Sequence, residues 1–182
     1  MTEAGGRGNE ALRPFHLGRW IEENRERLRP PVNNAVLWTD TEFLVVVAGG
    51  PNARSDYHDG AAEEYFHQIE GDMVLRVMES GGPREVTIRE GEVLLLPPRV
   101  RHSPQRPAGS VGLVVERVRR PGEIDAFEWY CDRCHARVHR HELELRDLVA
   151  DIPPVFEEYY RTVAAKSCPA CGAPNPGRPG PS

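Results

Sequence analysis

Short β-rich runs follow one another closely between Val36 and Val118, and this feature most restricts what the chain can fold into. Glycine or proline separates the runs. Because several short strands at close spacing are typical of antiparallel sandwiches and barrels, we predict a mainly β domain. No alternation of strands and helices is present, which argues against a parallel nucleotide-binding sheet. The predicted strands cover residues 42–48, 65–69, 73–78, 84–88, 93–96 and 111–118.

Helical patterns flank this region. Apolar residues at helical spacing predict an amphipathic helix between Pro14 and Leu28, packed on the outside and ended by Pro30-Pro31. After Pro121 the chain is again predicted to turn helical, with one face formed by Val155, Phe156, Tyr159 and Val163. The predicted organisation is a disordered tail (1–13), a barrel with its N-terminal helix (14–121), a C-terminal segment (122–177) and a second disordered tail (178–182).

Composition excludes several partners. The chain of 182 residues has a net charge of −5 and no long run of like charges, so we expect no nucleic-acid partner. No stretch approaches the roughly 20 apolar residues of a membrane span, and the N-terminus lacks the apolar core of a signal peptide. We therefore expect no membrane association and a cytoplasmic location.

Two spaced motifs indicate a metal site in the β-rich region. His58, Glu64 and Gly71 form the first, and the pattern G-x5-P-x-R-x2-H, which ends at His102, forms the second. Their order and spacing resemble the two motifs of the cupin superfamily. The resemblance implies a double-stranded β-helix, or jelly-roll barrel, with a metal between its sheets.

Gly60 stands where the first cupin motif usually has a second histidine. The predicted ligands are therefore His58, Glu64 and His102. Two imidazoles and one carboxylate leave an open face on octahedral iron(II) for substrate and dioxygen, although manganese, nickel and zinc stay possible. Side chains alternate along a strand, so Glu64 is expected to point inward and His67 outward.

Arginines surround the predicted ligands. Arg54, Arg99, Arg101 and Arg106 lie close to the two motifs in sequence. Arginine offers a fork of donors that matches a carboxylate. We therefore expect a substrate that carries a carboxylate.

Longer segments resemble the bacterial type of the 3-hydroxyanthranilate 3,4-dioxygenase family. These segments are G-G-P-N-x-R-x-D-Y-H from Gly49, E-E-Y-F-H-Q from Glu63, L-L-P-P-R-V-R-H-S-P-Q-R-P from Leu95 and F-E-W-Y-C-D-x-C from Phe127. The resemblance implies a homodimeric enzyme that opens the ring of 3-hydroxyanthranilate with O2, using Fe(II). The product, 2-amino-3-carboxymuconate semialdehyde, leads to quinolinate, in NAD biosynthesis or in tryptophan–kynurenine catabolism.

The same resemblance assigns roles to residues beyond the metal ligands. It implies that Arg106 binds the substrate carboxylate, that Glu116 contacts the polar ring substituents and that Arg54 lies near dioxygen. Glu116 is the acid of an otherwise apolar predicted strand, where a buried carboxylate needs a partner. The alternative is an edge-strand glutamate that faces water.

Two C-x2-C pairs predict a second metal site. Cys131 and Cys134 are separated from Cys168 and Cys171 by 33 residues. Four thiolates favour tetrahedral zinc or a rubredoxin-like iron, and the family resemblance implies a second iron. We expect a structural appendage, with redox activity of the pairs as the alternative. The nearby His135, His139 and His141 are expected to be exposed.

Two other functions stay open from the residues alone. The barrel metal could be zinc or manganese acting as a Lewis acid in an isomerase. A sensing module, in which the cysteine pairs bind a partner, is the non-enzymatic alternative. Oxygen-independent activity would favour the isomerase, and binding without consumption of ligand would favour the sensor.

Overall fold

The structure is a computed structural model that describes residues 13–30 and 33–179. Within these ranges the helices are α1 (Leu17–Glu23), a 3-10 helix (Arg25–Leu28) and α2 (Leu148–Thr162). The strands are β1 (Asn34–Val36), β2 (Phe43–Gly49), β3 (Asp56–Asp59), β4 (Glu64–Glu70), β5 (Met73–Glu79), β6 (Gly82–Ile88), β7 (Val93–Leu96), β8 (His102–Gln105), β9 (Val111–Arg117), β10 (Asp125–Tyr130) and β11 (Arg137–Leu143).

Some predictions fall outside those ranges. The predicted disordered tails lie outside the described residues except for Arg13, Arg178 and Pro179, and Pro31 lies outside them as well. None of the helices in the described part of the chain is long and apolar enough to cross a bilayer.

Two antiparallel sheets build the domain. One has the order β1-β2-β9-β4-β7, and the other has the order β11-β10-β3-β8-β5-β6. An apolar core lies between them, with side chains from both sheets: Phe66, Met73, Leu75, Val77, Ile88 and Leu96. The predicted mainly β cupin barrel with peripheral helices is confirmed.

Strand β4 shows why one of its faces points inward. Glu64, Phe66 and Gln68 are buried, Tyr65 is exposed and His67 is half-buried. This alternation follows from the pleat of a strand whose one face covers the core. The inward position predicted for Glu64 is therefore confirmed.

The N-terminal helix is shorter than predicted. It divides into α1 and the 3-10 helix at Asn24, whose side-chain amide donates to the carbonyl of Trp20 at 2.8 Å. Ile21 and Leu28 are buried against Ala35 and Val47 of the five-stranded sheet. This segment packs its apolar face on the five-stranded sheet, as its amphipathic pattern indicated.

The helix predicted after Pro121 is present, but two strands that were not predicted precede it. Strands β10 and β11 come first and extend the six-stranded sheet beyond β3. Helix α2 follows and packs on β10, where the rings of Trp129 and Tyr159 stack with centroids 4.0 Å apart. All four residues of the predicted helix face lie in this aromatic cluster: Val155, Phe156, Tyr159 and Val163.

Candidate functional site

Three buried side chains meet between the two sheets. His58 in β3 pairs directly with His102, the first residue of β8. Glu64 begins β4 in the facing sheet, and its carboxylate oxygens lie 3.3 Å from His58 Nδ1 and 3.3 Å from His102 Nε2. One ligand atom from each residue lies within 4.8 Å of the others. This group of side chains could therefore bind one metal ion.

The two imidazole rings are held by their far nitrogens. His102 Nδ1 lies 2.9 Å from the carbonyl oxygen of Val100, to which it donates, so Nε2 keeps its lone pair toward Glu64. His58 places Nε2 3.0 Å from Oδ2 of Asp125, so its Nδ1 faces Glu64. Histidine ligands of metals are usually held in this way by a carbonyl or carboxylate. Both rings thus fit metal coordination.

The electrostatics also favour a cation at this place. Burial opposes the charged form of His58, but hydrogen bonds to Asp125 and Glu64 outweigh it and raise the pKa of His58 to about 9. Burial would raise the pKa of Glu64, but the attraction to His102 and His58 holds it well below its usual value. A divalent metal would replace the proton that these carboxylates stabilise on His58.

Gly60 contributes no side chain to the site, and a side chain there would be tightly packed against the ligands. A Cβ atom there would lie 3.1 Å from Cε1 of His58 and 3.2 Å from Oε1 of Glu64. The Gly60 carbonyl accepts a hydrogen bond from the backbone N–H of Arg99 at 2.9 Å. The cavity side of Gly60 is thus bare backbone, and a metal held by the three side chains keeps open positions.

Arg106 is a buried cation with unused donors. Arg106 is 4% exposed, and burial lowers its pKa to about 10. Among the described residues, its one hydrogen-bonded side-chain partner is Gln68, with Nη1 3.1 Å from Oε1. A guanidinium has five N–H donors, so this group can bind a carboxylate with both arms of its fork.

Gly112 makes room for that guanidinium. A Cβ atom at Gly112 would lie 2.7 Å from Nη1 of Arg106 and 2.8 Å from Oε1 of Gln68. We expect Gly112→Ala to displace Arg106 and to destabilise the protein by about 1–3 kcal/mol, the usual cost of overpacking. Urea unfolding measures the stability, and steady-state kinetics should show a raised KM.

The matched control is Gly81→Ala, because no atom lies within 4 Å of a Cβ built at Gly81. We expect this variant to change the free energy of unfolding by less than about 0.5 kcal/mol. Equal KM values for Gly112→Ala and the wild type would contradict the placement of Arg106.

Glu116 lies inside the barrel. The alternative interpretation, an edge-strand glutamate that faces water, is therefore wrong. Glu116 is 7% exposed and stands opposite Glu64 in the register of β9 and β4. Burial, followed by repulsion from Glu64, raises the pKa of Glu116, while Arg119 opposes the shift. Its Oε2 lies 2.8 Å from Nη1 of Arg119.

Arg54 lies beside the Phe127 ring that stacks on His58. Its Nε donates to Oδ1 of the buried Asp56 at 3.1 Å, and its second arm also pairs with that carboxylate. The guanidinium carbon lies 6.0 Å from the ring centroid of Phe127, and the Phe127 ring stacks on His58 at 5.1 Å. Attraction to Asp56 and Glu64 raises the pKa of Arg54 against the effect of burial.

Arg99 and Arg101 do not join the site. Nη1 of Arg99 donates to the carbonyl of Ile124 at 2.9 Å, and Nε of Arg101 lies 2.9 Å from Glu128. The alternation of side chains next to His102 turns Arg101 to the outer face of the sheet. Closeness in sequence to the motifs was therefore misleading for these two arginines.

Two buried residues of the site were not recognised from the sequence as functional. Asp125 holds His58 and is completely buried, and Gln68 holds Arg106. Gln68 shares the inward face of β4 with Glu64, and this signal could have identified it. No local signal identifies Asp125, since it follows His102 by a whole strand and loop.

Two cavities have an arginine of the site region in their walls. One of about 770 Å³ has Trp38, Phe43, Leu44 and Arg119 in its wall, and another of about 530 Å³ has Arg54 and Tyr57 in its wall. Neither wall includes His58, Glu64 or His102. The three candidate ligands are therefore not part of either cavity wall.

The four cysteines come together at the other end of β10. Cys131 Sγ lies 3.6 Å from Cys171 Sγ, and Cys134 Sγ lies 3.7 Å from Cys168 Sγ. Tetrahedral coordination with metal–sulfur bonds of about 2.3 Å separates the sulfurs by about 3.8 Å. The cluster could therefore bind a metal, with its four ligands closing the coordination.

Both cysteine pairs have the same backbone hydrogen bonds. The N–H of His135 donates to the carbonyl of Cys131 at 2.9 Å, and the N–H of Gly172 donates to that of Cys168 at 2.8 Å. His135 and Gly172 both have positive φ, 57° and 74°.

Three histidines near the cysteines were predicted to be exposed. His135 is exposed as predicted, but the predicted exposure of His139 and His141 is wrong, because both are half-buried.

The comparisons with known proteins agree with this geometry. A sequence model described as 3-hydroxyanthranilic acid dioxygenase matches residues 10–160. The chain belongs to this family. The matched range contains the three candidate ligands of the barrel metal, as well as Arg106 and Glu116.

Several bacterial relatives named 3-hydroxyanthranilate 3,4-dioxygenase are similar over nearly the whole chain. That of Burkholderia cenocepacia is 50% identical, over 92% of this chain and 96% of the relative. That of Shewanella woodyi is 48% identical, over 92% and 89%. That of Ruegeria pomeroyi is 50% identical, over 92% and 93%. Membership of this dioxygenase family, predicted from the motifs, is confirmed.

Proposed function

We propose that the chain is an iron(II)-dependent enzyme that converts 3-hydroxyanthranilate and O2 to 2-amino-3-carboxymuconate semialdehyde. The observation that carries this proposal is the pairing of an open three-ligand group with the buried, under-used cation of Arg106. Together they suit a small aromatic acid that binds a metal.

The residues divide the work between metal and substrate. His58, Glu64 and His102 would hold the iron, which supplies the redox chemistry that lets an electron-rich ring react with dioxygen. The fork of Arg106 would bind the substrate carboxylate and set the orientation of the ring. Glu116, buried beside Glu64, would accept hydrogen bonds from the hydroxyl and amino substituents of the ring.

Arg54 is proposed to serve the dioxygen side of the site. Its positive charge is fixed by Asp56 and lies near Glu64. A fixed cation stabilises negative charge that develops on oxygen during the reaction without having to move. Arg54, Arg106 and Glu116 are thus the proposed catalytic residues beside the metal ligands.

The wider context is proposed from the relatives' names and the chemistry of the product. The semialdehyde is the precursor of quinolinate, which places the reaction in NAD biosynthesis or kynurenine breakdown. We propose a homodimer in the cytoplasm. We further propose that residues 122–177 serve to carry the cysteine site while β10 and β11 attach them to the barrel sheet.

The decisive experiment uses protein loaded anaerobically with iron(II) and then mixed with 3-hydroxyanthranilate and oxygen. We expect oxygen uptake and the absorbance of the semialdehyde to rise together, in equal amounts. Full iron occupancy without turnover would contradict the proposal. Consumption of a substrate without oxygen would favour the isomerase.

The cysteine cluster is proposed to hold a structural iron or zinc. Replacing the buried Cys168 with serine should remove one metal equivalent, because a closed four-thiolate site loses affinity with any one ligand. Turnover per barrel iron should stay close to the wild-type value. Elemental analysis and the melting temperature measure the two effects.

Ser80→Ala is a suitable control for the preparation of the cysteine variant, because Ser80 is exposed. The Ser80→Ala protein should keep both metals. A Cys168→Ser protein that retains the second metal would contradict the four-cysteine assignment. Loss of turnover at full barrel occupancy would favour the redox alternative.

A further inference from the structure

A buried ion-pair network lies behind the metal group. Asp125, at the start of β10, is completely buried and accepts from Nε2 of His58 at 3.0 Å. The same Oδ2 atom accepts from Nε of Arg119 at 2.9 Å and lies 2.7 Å from its Nη2. One carboxylate oxygen therefore contacts both a candidate metal ligand and a guanidinium.

The other arm of the guanidinium reaches the substrate side. Nη1 of Arg119 lies 2.8 Å from Oε2 of Glu116. Arg119 stands in the connection between β9 and β10, which belong to different sheets. Its side chain is 8% exposed, so water screens these contacts weakly. One planar cation thus joins two sheets across the edge of the pocket.

The two buried carboxylates of this network require a cation between them. Two buried carboxylates, Glu116 and Asp125, would otherwise be costly to keep ionised in this place. A guanidinium can bind two carboxylates at once because its donors lie in one rigid plane, whereas an ammonium offers a single point charge. The carboxylate of Asp125 in turn fixes which nitrogen of His58 faces the metal.

We propose that Arg119 is a positioning residue that couples the metal ligand His58, through Asp125, to the substrate-contacting Glu116. The inference rests on the proposed function of the site. Arg119 touches neither metal nor substrate in this role. Arg119 holds the imidazole ring of His58 and the carboxylate of Glu116 in a fixed relative position. A substitution of Arg119 therefore affects metal retention and substrate binding together.

Arg119→Gln and Asp125→Asn test the proposal with two readouts. A chelator challenge follows release of the metal equivalent that depends on His102, and steady-state kinetics gives KM and kcat for 3-hydroxyanthranilate. Asp125→Asn should speed metal release roughly 10- to 100-fold with little change in KM. Arg119→Gln should speed release and also raise KM, because Glu116 loses its cation.

Two further variants separate positioning from folding. The double variant should release metal no faster than the faster single variant, because both changes act through His58. Arg119→Lys keeps a positive charge and should stay folded, with release and KM between those of the wild type and Arg119→Gln. The melting temperature is recorded for each protein, and release is measured well below it.

Arg117→Gln is the matched control. Arg117 also pairs with an acid six residues later, with Nη2 2.5 Å from Oε1 of Glu123, but its side chain is 29% exposed. This variant should keep wild-type metal release and KM.

Wild-type release and KM in both Arg119 variants, with a lower melting temperature alone, would overturn the proposal. Metal release is measured without turnover. A wild-type protein that binds metal but leaves 3-hydroxyanthranilate unchanged therefore contradicts the proposed function, and the release rates still decide the role of Arg119.

Discussion

Replacing His102 with alanine is expected to reduce turnover to the background of metal-free protein and to remove one metal equivalent. His102 is 2% exposed, and its Nε2 faces Glu64 at 3.3 Å. Without it, only two ligands remain on the metal, and Glu64 loses one of the partners that stabilise its charge. Elemental analysis beside oxygen uptake measures both effects.

His67→Ala is the matched control for this variant. His67 is half-buried on the opposite face of β4 from Glu64, and its removal should leave metal content and turnover unchanged. The cysteine-bound metal should persist in both proteins. A His102→Ala protein that keeps two metal equivalents would contradict the ligand assignment.

Replacing Arg106 with alanine is expected to lower kcat/KM by roughly 10²- to 10³-fold, or about 3 to 4 kcal/mol, mainly through KM. The reason is that the buried guanidinium would pair with the substrate carboxylate away from water. Metal content should not change, because Arg106 hydrogen-bonds to Gln68 and to none of the three ligands.

A substrate without the carboxylate sharpens this prediction. With 2-aminophenol, the wild type and Arg106→Ala should differ much less than with 3-hydroxyanthranilate, since the group that Arg106 binds is missing. Arg99→Ala is the control, because Arg99 lies near the same motif but its side chain is 51% exposed. An equal loss with both substrates would show that Arg106 acts through the fold and not through the carboxylate.

Sequence patterns predicted the strands rich in apolar residues, which carry Glu64 and Glu116, and missed the two strands that carry the histidine ligands. The strands β2, β4, β5, β6, β7 and β9 were placed within a few residues of their observed bounds. Strands β3 and β8 were missed because they contain Asp56, His58, His102 and Pro104, which have low strand propensity. Their extended form comes from pairing with neighbouring strands and not from local preference.

The same limit explains the errors after Pro121. Strand β10 contains Asp125 and Glu128, both completely buried, where a sequence pattern would place apolar residues. Each is compensated by arginines from elsewhere in the chain, such as Arg119 for Asp125 and Arg140 for Glu128. A buried charge without a charged partner is strongly destabilising, and that partner can be identified only in the folded protein.

The sequence by itself determined the family, the barrel and the spacing of His58, Glu64 and His102, because motif spacing and strand alternation are local properties. Only the tertiary structure decided which arginines face the site. It turned Arg106 inward beside Gly112 and Arg101 outward to Glu128, and it brought Arg119 and Asp125 behind His58. Those contacts join residues that lie far apart in sequence, on separate strands and loops. Strand pairing across a barrel is not encoded in any single stretch of the chain.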